Sequence, residues 1–169
     1  MTAPEFARQY LFGPLGITDV RWPIAPGGVA MGGYGIEMTP RDMAKFGYLN
    51  LKGDMWEGKQ VVPAEWVGAS ATKHIRDEPD DLDYGYLWWI YPLGAYSAMG
   101  YAGQAIWVLP DLNIVVVLTA HLPESKTDPD WRRVLVEDYV IPAARSTQPL
   151  PENPPALERL KKAVKEVGQ

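Results

Sequence analysis

The chain has 169 residues, 47% hydrophobic and 22% charged, with a formal net charge of −5, the balance of one soluble domain with apolar material for a single sizeable core. Its acidic residues are scattered and no basic stripe is present, so the footprint that would neutralise a phosphate backbone is missing and nucleic acid is not an expected partner. With no cysteine there is no disulfide framework, no thiolate nucleophile and no cysteine-based metal site.

Seven Trp and nine Tyr against three Phe bias the aromatics toward rings with a polar handle, which populate core edges and pocket walls as well as interiors. The opening residues, Met1 to Tyr10, have neither a charged lead nor a long apolar run, so no signal peptide is expected there. No stretch reaches the ~20 apolar residues of a membrane span. Compartment is not legible from either observation.

Phe6, Ala7, Tyr10 and Leu11 recur at helical spacing and stop before Gly13-Pro14-Leu15-Gly16, which predicts a helix over 4–12, cut near its start. The stretch to Met38 is too rich in breakers (Trp22-Pro23, Pro26-Gly27-Gly28, Met31-Gly32-Gly33) for regular structure and is expected to be a long ordered loop. Thr39-Pro40-Arg41-Asp42 is a strong helix start. Thr39 can cap it, Pro40 sits where a missing N–H costs nothing, and Asp42 lies near the positive helix end. Met43, Phe46, Gly47 and Leu49 to Leu51 supply its buried face, and Lys52-Gly53-Asp54 closes it. Gly58-Lys59 makes a turn, and a second helix starts at Pro63, with Trp66 and Val67 inward, running to about Thr72.

His74 to Asp83 is polar and acidic and is expected to be a surface loop. Beyond it the pattern becomes extended: Tyr84–Tyr91, Tyr96–Tyr101, Ala105–Leu109 and Ile114–Thr119 are short aromatic and β-branched runs, an antiparallel meander. Val115-Val116-Val117-Leu118 lacks polar alternation, so that strand should be covered on both faces. The segment from about Pro129 to Ala144 is its natural cover, with Trp131, Val134, Leu135, Tyr139, Val140 and Ile141 at helical spacing. Pro149, Pro151, Pro154 and Pro155 form a stiff linker to a charged terminal helix over 156–167.

Several strings in this order resemble one family. They are Leu11-Phe12-Gly13-Pro14-Leu15-Gly16-Ile17, Met31-Gly32-Gly33, Thr39 through Gly47, Gly58 through Pro63 with Glu65-Trp66-Val67, Tyr84-Gly85-Tyr86-Leu87-Trp88-Trp89, and Gly100-Tyr101-Ala102-Gly103-Gln104 running into Val115–Thr119. Together, over roughly residues 3–145, the chain resembles the second half of the β-lactamase-related serine hydrolases (class C β-lactamases and penicillin-binding-protein-like enzymes), especially the branch that contains 6-aminohexanoate-dimer hydrolase. The resemblance implies an α+β fold, an antiparallel sheet flanked by helices, present as a C-terminal portion. Residues 1–145 would form that portion of one domain, and 146–169 the Pro-rich linker and terminal helix.

The family's chemistry uses a serine at a helix start beside a lysine one turn later, a tyrosine from the helical region, and a third element on a sheet strand. The resemblance places the serine and lysine upstream of Met1. Ser70-Ala71-Thr72-Lys73 fits Ser-x-x-Lys, but its serine falls at the end of a helix, and helix-end solvation is the preferred reading. Tyr48-Leu49-Asn50 fits Tyr-x-Asn but lies inside a packing helix, which makes it a core tyrosine and a helix-end polar group. No residue is therefore assigned a catalytic role.

The third element aligns with Ala98-Met99-Gly100, where relatives have Lys-Thr-Gly, His-x-Gly or Ala-Ser-Gly. Its missing basic residue argues against a penicillinase. Ala98, Met99, Gly100, Tyr101 and Gly33 are the expected substrate-binding residues. Gly100 allows close approach, and the Tyr101 N–H would be an oxyanion-hole donor. The alternative reading of Gly100 and Gly103 is simply strand bends. Trp88, Trp89 and Trp107 could line the pocket, although core packing is their commoner fate.

His74 and His121 lack ligand-like spacing, so neither a metal nor another cofactor is expected. The implied function is cleavage of an amide or ester through an acyl-enzyme; the alternative is a truncated or degenerate copy kept for binding or assembly. The implied partner is a small amide or ester substrate. Self-association is also expected, through apolar surface that the rest of such a domain would cover.

Overall fold

The computed structural model describes residues 1–53, 55–77, 82–92, 94–122, 130–144, 146 and 151–167. Asp54, residues 78–81 of the acidic stretch, the expected helix start at Pro129, the boundary at 145 and Pro149 of the linker lie outside them.

The first helix begins as α1 (Ala3–Ala7), capped by a reciprocal pair in which the Thr2 N–H donates to Glu5 Oε2 at 2.7 Å while the Glu5 N–H donates to Thr2 Oγ1. It continues over Arg8–Phe12 as a wider π-helical stretch that ends with the Gly13 N–H on the Arg8 carbonyl. Pro14 follows, with no N–H for the carbonyl four residues back. The loop after it is irregular as expected, with one two-residue ribbon joining β1 (Val20–Arg21) to β2 (Glu37–Met38).

Helix α2 (Pro40–Leu51) starts where its caps place it: Thr39 Oγ1 accepts from the Asp42 N–H at 3.2 Å, and Pro40 opens the first turn. Strands β3 (Met55–Trp56) and β4 (Lys59–Gln60) make a hairpin around Glu57 and Gly58, both at positive φ (48° and 79°), the turn whose twist suits paired strands. Helix α3 (Ala64–Ser70) follows Pro63 and buries Val67. Trp66, expected inward, is instead 54% exposed, because it stacks on Tyr86 at 5.5 Å rather than entering the core.

Six antiparallel strands form the main sheet in the order β10-β9-β8-β7-β6-β5. They are β5 (Ile75–Asp77), β6 (Leu82–Tyr84), β7 (Trp89–Ile90), β8 (Tyr96–Met99), β9 (Ala105–Leu109) and β10 (Ile114–Leu118). The acidic stretch expected to be a loop therefore contributes a strand at each end. Backbone pairing of Ile75 with Tyr84 and of Asp77 with Leu82 outweighs the poor strand propensity of its acidic residues.

Alternation sorts the sheet into two faces. Trp107, Leu109 and Ala105 join Tyr91, Val116, Leu118 and Ile114 on one; Val108, Tyr96 and Ala98 join Trp88 and Phe46 on the other. Helix α2 covers the second face so closely that a Cβ on Gly47 would lie 2.7 Å from Val115 Cγ1 and 2.8 Å from Ile106 Cγ2. The first face is covered by α4 (Trp131–Val134), a π-helical stretch (Leu135–Val140) and α5 (Ile141–Ala143). Covering on both faces is what the apolar run in β10 predicts.

Along this second cover the buried residue is Val136, 0% exposed, while Tyr139 is 67% and Leu135 36% exposed. The 3.6-residue spacing that selects Leu135 and Tyr139 fails here because the π turn advances the chain about 4.4 residues per turn and rotates the apolar stripe. Pro142, which cannot donate to the carbonyl four residues back, follows this stretch as Pro14 follows the first. Helix α6 (Pro154–Val167) starts two residues before its expected position. No helix among the described residues is long and apolar enough to cross a membrane.

Candidate functional site

Ala98, Met99, Gly100 and Tyr101 form one continuous strand end and turn. Strand β8 pairs with β9 from Tyr96↔Val108 to Met99↔Ala105, which locks the register of the whole segment. Alternation then sends Ala98 and Met99 to opposite faces. Ala98 packs beside Trp88, Tyr96 and Val108 under α2. Met99 packs against the cluster of Tyr91 and Trp107, its sulfur 3.9 Å from the Tyr91 hydroxyl. That hydroxyl lies 3.3 Å from Ser97 Oγ, and burial raises the Tyr91 pKa above its ordinary value.

Gly100 is extended (φ −113°, ψ 173°), and its N–H donates to the Gln104 carbonyl at 2.9 Å, closing the turn between β8 and β9. A Cβ there would lie 3.1 Å from Gln104 Cβ, so glycine is favoured by close approach and not by its own dihedrals. Inside the turn Ala102 takes φ 60° and Gly103 φ 106°, conformations that are costly for Ala and natural for Gly.

Two contacts from the end of β10 hold this turn: Gln104 Nε2 donates to the Ala120 carbonyl, and the Leu122 N–H donates to the Ala102 carbonyl at 3.1 Å. Trp131 closes it from the other side. A Cβ on Gly103 would lie 2.9 Å from both Ala120 Cβ and Trp131 Cζ2. At Gly103 both dihedral and space demand glycine. Tyr101, 72% exposed, opens the 3-10 turn, and a first-position N–H has no partner within such a turn. The turn is thus braced by contacts from Ala120, Leu122 and Trp131, with Tyr101 exposed at its start.

Gly33 is separate. It lies exposed on the β1–β2 loop, a Cβ there would meet nothing within 4 Å, and it makes no hydrogen bond to the strand. The loop is braced internally, by Trp22 Nε1 donating to the Met31 carbonyl at 2.7 Å and the Met31 N–H to the Pro23 carbonyl at 3.0 Å. Of the aromatic candidates, Trp107 is 1% and Trp88 5% exposed, and Trp88 stacks on Phe46 with centroids 6.2 Å apart. Half-buried Trp89 packs on the core and meets the Tyr84 ring edge-on at 4.7 Å. These tryptophans are packing residues. Trp107 Nε1 is the one buried side-chain donor without a partner among the described residues.

Neither decoy motif assembles. Ser70 is buried at the end of α3, and its hydroxyl donates to the Val67 carbonyl at 3.0 Å, while Lys73 pairs with Asp83. Asn50 is buried and caps its own helix by donating from Nδ2 to the Phe46 carbonyl. Tyr48, expected in the core, is 45% exposed, its ring edge-on to Trp56 and 5.5 Å from the Lys52 ammonium.

The sequence did not reveal a cluster of rings in which Trp66 and His74 each stack with Tyr86, at 5.5 and 4.0 Å. Among the described residues no group of three or more metal-capable side chains gathers.

A family model described as Beta-lactamase matches residues 1–139. The chain is 29% identical over 109 residues to a 6-aminohexanoate-dimer hydrolase of Paenarthrobacter ureafaciens, covering 58% of this chain and 27% of that protein. It is 28% identical over 96 residues to an uncharacterised protein of Alkalihalophilus pseudofirmus, covering 47% of this chain and 28% of that one. A solved Bacillus anthracis structure, provisionally assigned as a 6-aminohexanoate-dimer hydrolase, superposes with a TM-score of 0.69 at 20% identity, over 90% of this chain and 40% of that one. A penicillin-binding-protein homologue from Caulobacter crescentus gives 0.52 at 13% identity, over 70% and 46%. At those identities the two structures speak for the fold alone. The chain spans under a third of the length of these two curated relatives.

Proposed function

The chain belongs to the Beta-lactamase family, and from that premise we propose that it forms one wall of a serine hydrolase site that cleaves an amide or ester through an acyl-enzyme. The observation that carries this reading is the braced turn after β8, in which Gly100 and Gly103 fix the backbone and Tyr101 leads with an N–H free of any partner inside the turn. A fixed donor of that kind stabilises the negative oxygen that develops when a nucleophile adds to a carbonyl. Gly100 leaves the approach to it without a side chain, and Gly33 would border the same cleft in the assembled site.

The nucleophilic serine and its lysine would come from polypeptide beyond these residues. The serine oxygen adds to the carbonyl carbon, its proton passes through the basic partners to the leaving amine or alcohol, and water then hydrolyses the ester so formed. With no cation on β8, the reading favours neutral or amine-bearing substrates over those with a carboxylate at this position. The domain division at 145, with the terminal helix as an appendage, belongs to the same proposal.

One observation favours a second reading, a degenerate copy that does no chemistry: the Met99 side chain turns into the core and offers no polar group to a substrate. A fluorophosphonate probe separates the two. The first reading expects no labelling of the 169-residue chain and labelling of the product of the longest open reading frame that contains it, at a serine within Ser-x-x-Lys at a helix start. Labelling of neither supports the degenerate copy, and labelling of Ser70 overturns both.

A further inference from the structure

The first turn of the second cover is locked on both sides of Trp131. Before it, the Asp130 carboxylate accepts from the Arg132 backbone N–H at 3.0 Å and from the Arg132 guanidinium at 2.8 to 3.0 Å, so a helix cap and an ion pair fix the same turn. After it, Arg133 Nε donates to Glu137 Oε1 at 2.8 Å, and the Arg133 guanidinium lies 5.9 Å from the centre of the Tyr91 ring.

From this fixed base the indole reaches the turn after β8. Its far edge, Cζ2 and Cη2, lies 2.9 and 3.8 Å from where a Cβ on Gly103 would stand. The anchor of this cover in the core is Val136, 0% exposed, while Trp131 is half-buried.

The turn requires support of this kind. Ala102 stands at φ 60° and ψ 19°, a left-handed conformation that a residue with a Cβ keeps only where its surroundings over-determine it. Two of the contacts that do so come from beyond the end of β10: the Leu122 N–H on the Ala102 carbonyl and Gln104 Nε2 on the Ala120 carbonyl. Trp131 supplies the opposing contact, with Gly103 held between the Ala120 methyl and the indole.

We propose, on the reading of this turn as part of an acyl-transfer site, that Trp131 is a positioning residue: it fixes the backbone that aims the Tyr101 N–H and does not itself touch substrate. Stabilisation of a developing oxyanion depends on where the donor stands as charge appears, and ground-state binding depends on it far less. A misplacement of about 1 Å can lower a rate about a hundredfold. Loss of the indole therefore acts on kcat and spares KM.

The test uses the product of the longest open reading frame that contains the chain, with p-nitrophenyl acetate turnover and amide exchange read on the same preparations. Trp131→Ala is expected to lower kcat about tenfold or more while KM changes less than about threefold. Exchange of the Gly100 and Leu122 amides, which close the turn, is expected to speed up while that of the β9 amides stays level. Trp131→Phe guards against a variant that fails to fold. It keeps an apolar ring on α4 but lacks the far edge that reaches Gly103, so it should melt with the unsubstituted protein and still show the same kind of loss in kcat, smaller in size. A Trp131→Phe protein with full kcat and unchanged exchange overturns the proposal. So does a rise in KM alone, which would make Trp131 a substrate contact, and so does a fall in kcat that only follows a fall in folded fraction. The acyl-transfer reading fails separately: the unsubstituted product would then hydrolyse nothing, while faster exchange at Gly100 and Leu122 in the variants would still assign Trp131 to the turn.

Discussion

The two helical covers of the sheet were built by different rules, and only one of them was written in local sequence. Helix α2 is regular, begins at its Thr39 cap and presents Gly47 to Val115 and Ile106 with no room for a Cβ. The cover at 131–144 is interrupted by a π turn and reaches the core through Val136. A regular helix lets spacing predict the buried face. A widened turn shifts that face by part of a turn, and spacing then selects the wrong side chains.

Substitutions in the two covers test that contrast. The largest effect is expected at Gly47→Val, which forces branched atoms into space already occupied by Val115 and Ile106, at a cost of about 3 kcal/mol of unfolding free energy, measured by urea denaturation. Next comes the pair that tests the rotated stripe. Val136→Ala removes two fully buried methyl groups and should cost about 2 kcal/mol, whereas Tyr139→Ala should stay within about 0.5 kcal/mol of the unsubstituted chain. The reverse order would restore the regular-helix reading of this segment.

A smaller effect is expected at the start of α2. The Lys45 ammonium at 2.8 Å, with the Thr39 hydroxyl beside it, holds the Asp42 carboxyl below its ordinary pKa, against the opposing effect of burial. A carboxyl with a depressed folded-state pKa stabilises the fold above its unfolded value of about 3.9 and loses that contribution as pH falls through the folded value. Lys45→Met should therefore cost stability at neutral pH and flatten the decline on acidification. Thr39→Ala, which removes the cap as well, should cost about 1 kcal/mol, read as a shift in urea midpoint.

Much of the fold was legible where one residue type has one job. Thr39-Pro40 marked a helix start, and the β-branched runs two core strands. Strands β5 and β6 were not, because their pairing with each other and with β7 comes from chain approach and not from their own composition. Trp66 and Tyr48 misled for a related reason: an aromatic at a helical position satisfies itself equally well against an exposed ring or a lysine.

At the candidate site, the family resemblance proposes Ala98–Tyr101 as substrate-binding residues, and alternation in β8 adds that Ala98 and Met99 face different helices. A bend at Gly103 was legible in sequence, but its close packing was not: beside the positive φ, Ala120 and Trp131, a residue of the far cover, rest against the turn. The irregular cover thus has a direct consequence for the site, since it braces the segment that carries the Tyr101 N–H.

The most direct test of the account is turnover of nitrocefin and p-nitrophenyl esters by purified residues 1–169 beside the product of the longest open reading frame containing them. The account predicts hydrolysis by the longer product alone, because the described residues hold a donor-bearing turn and no assembled serine–lysine pair. Hydrolysis by the 169-residue chain would contradict it and place a working nucleophile within these residues.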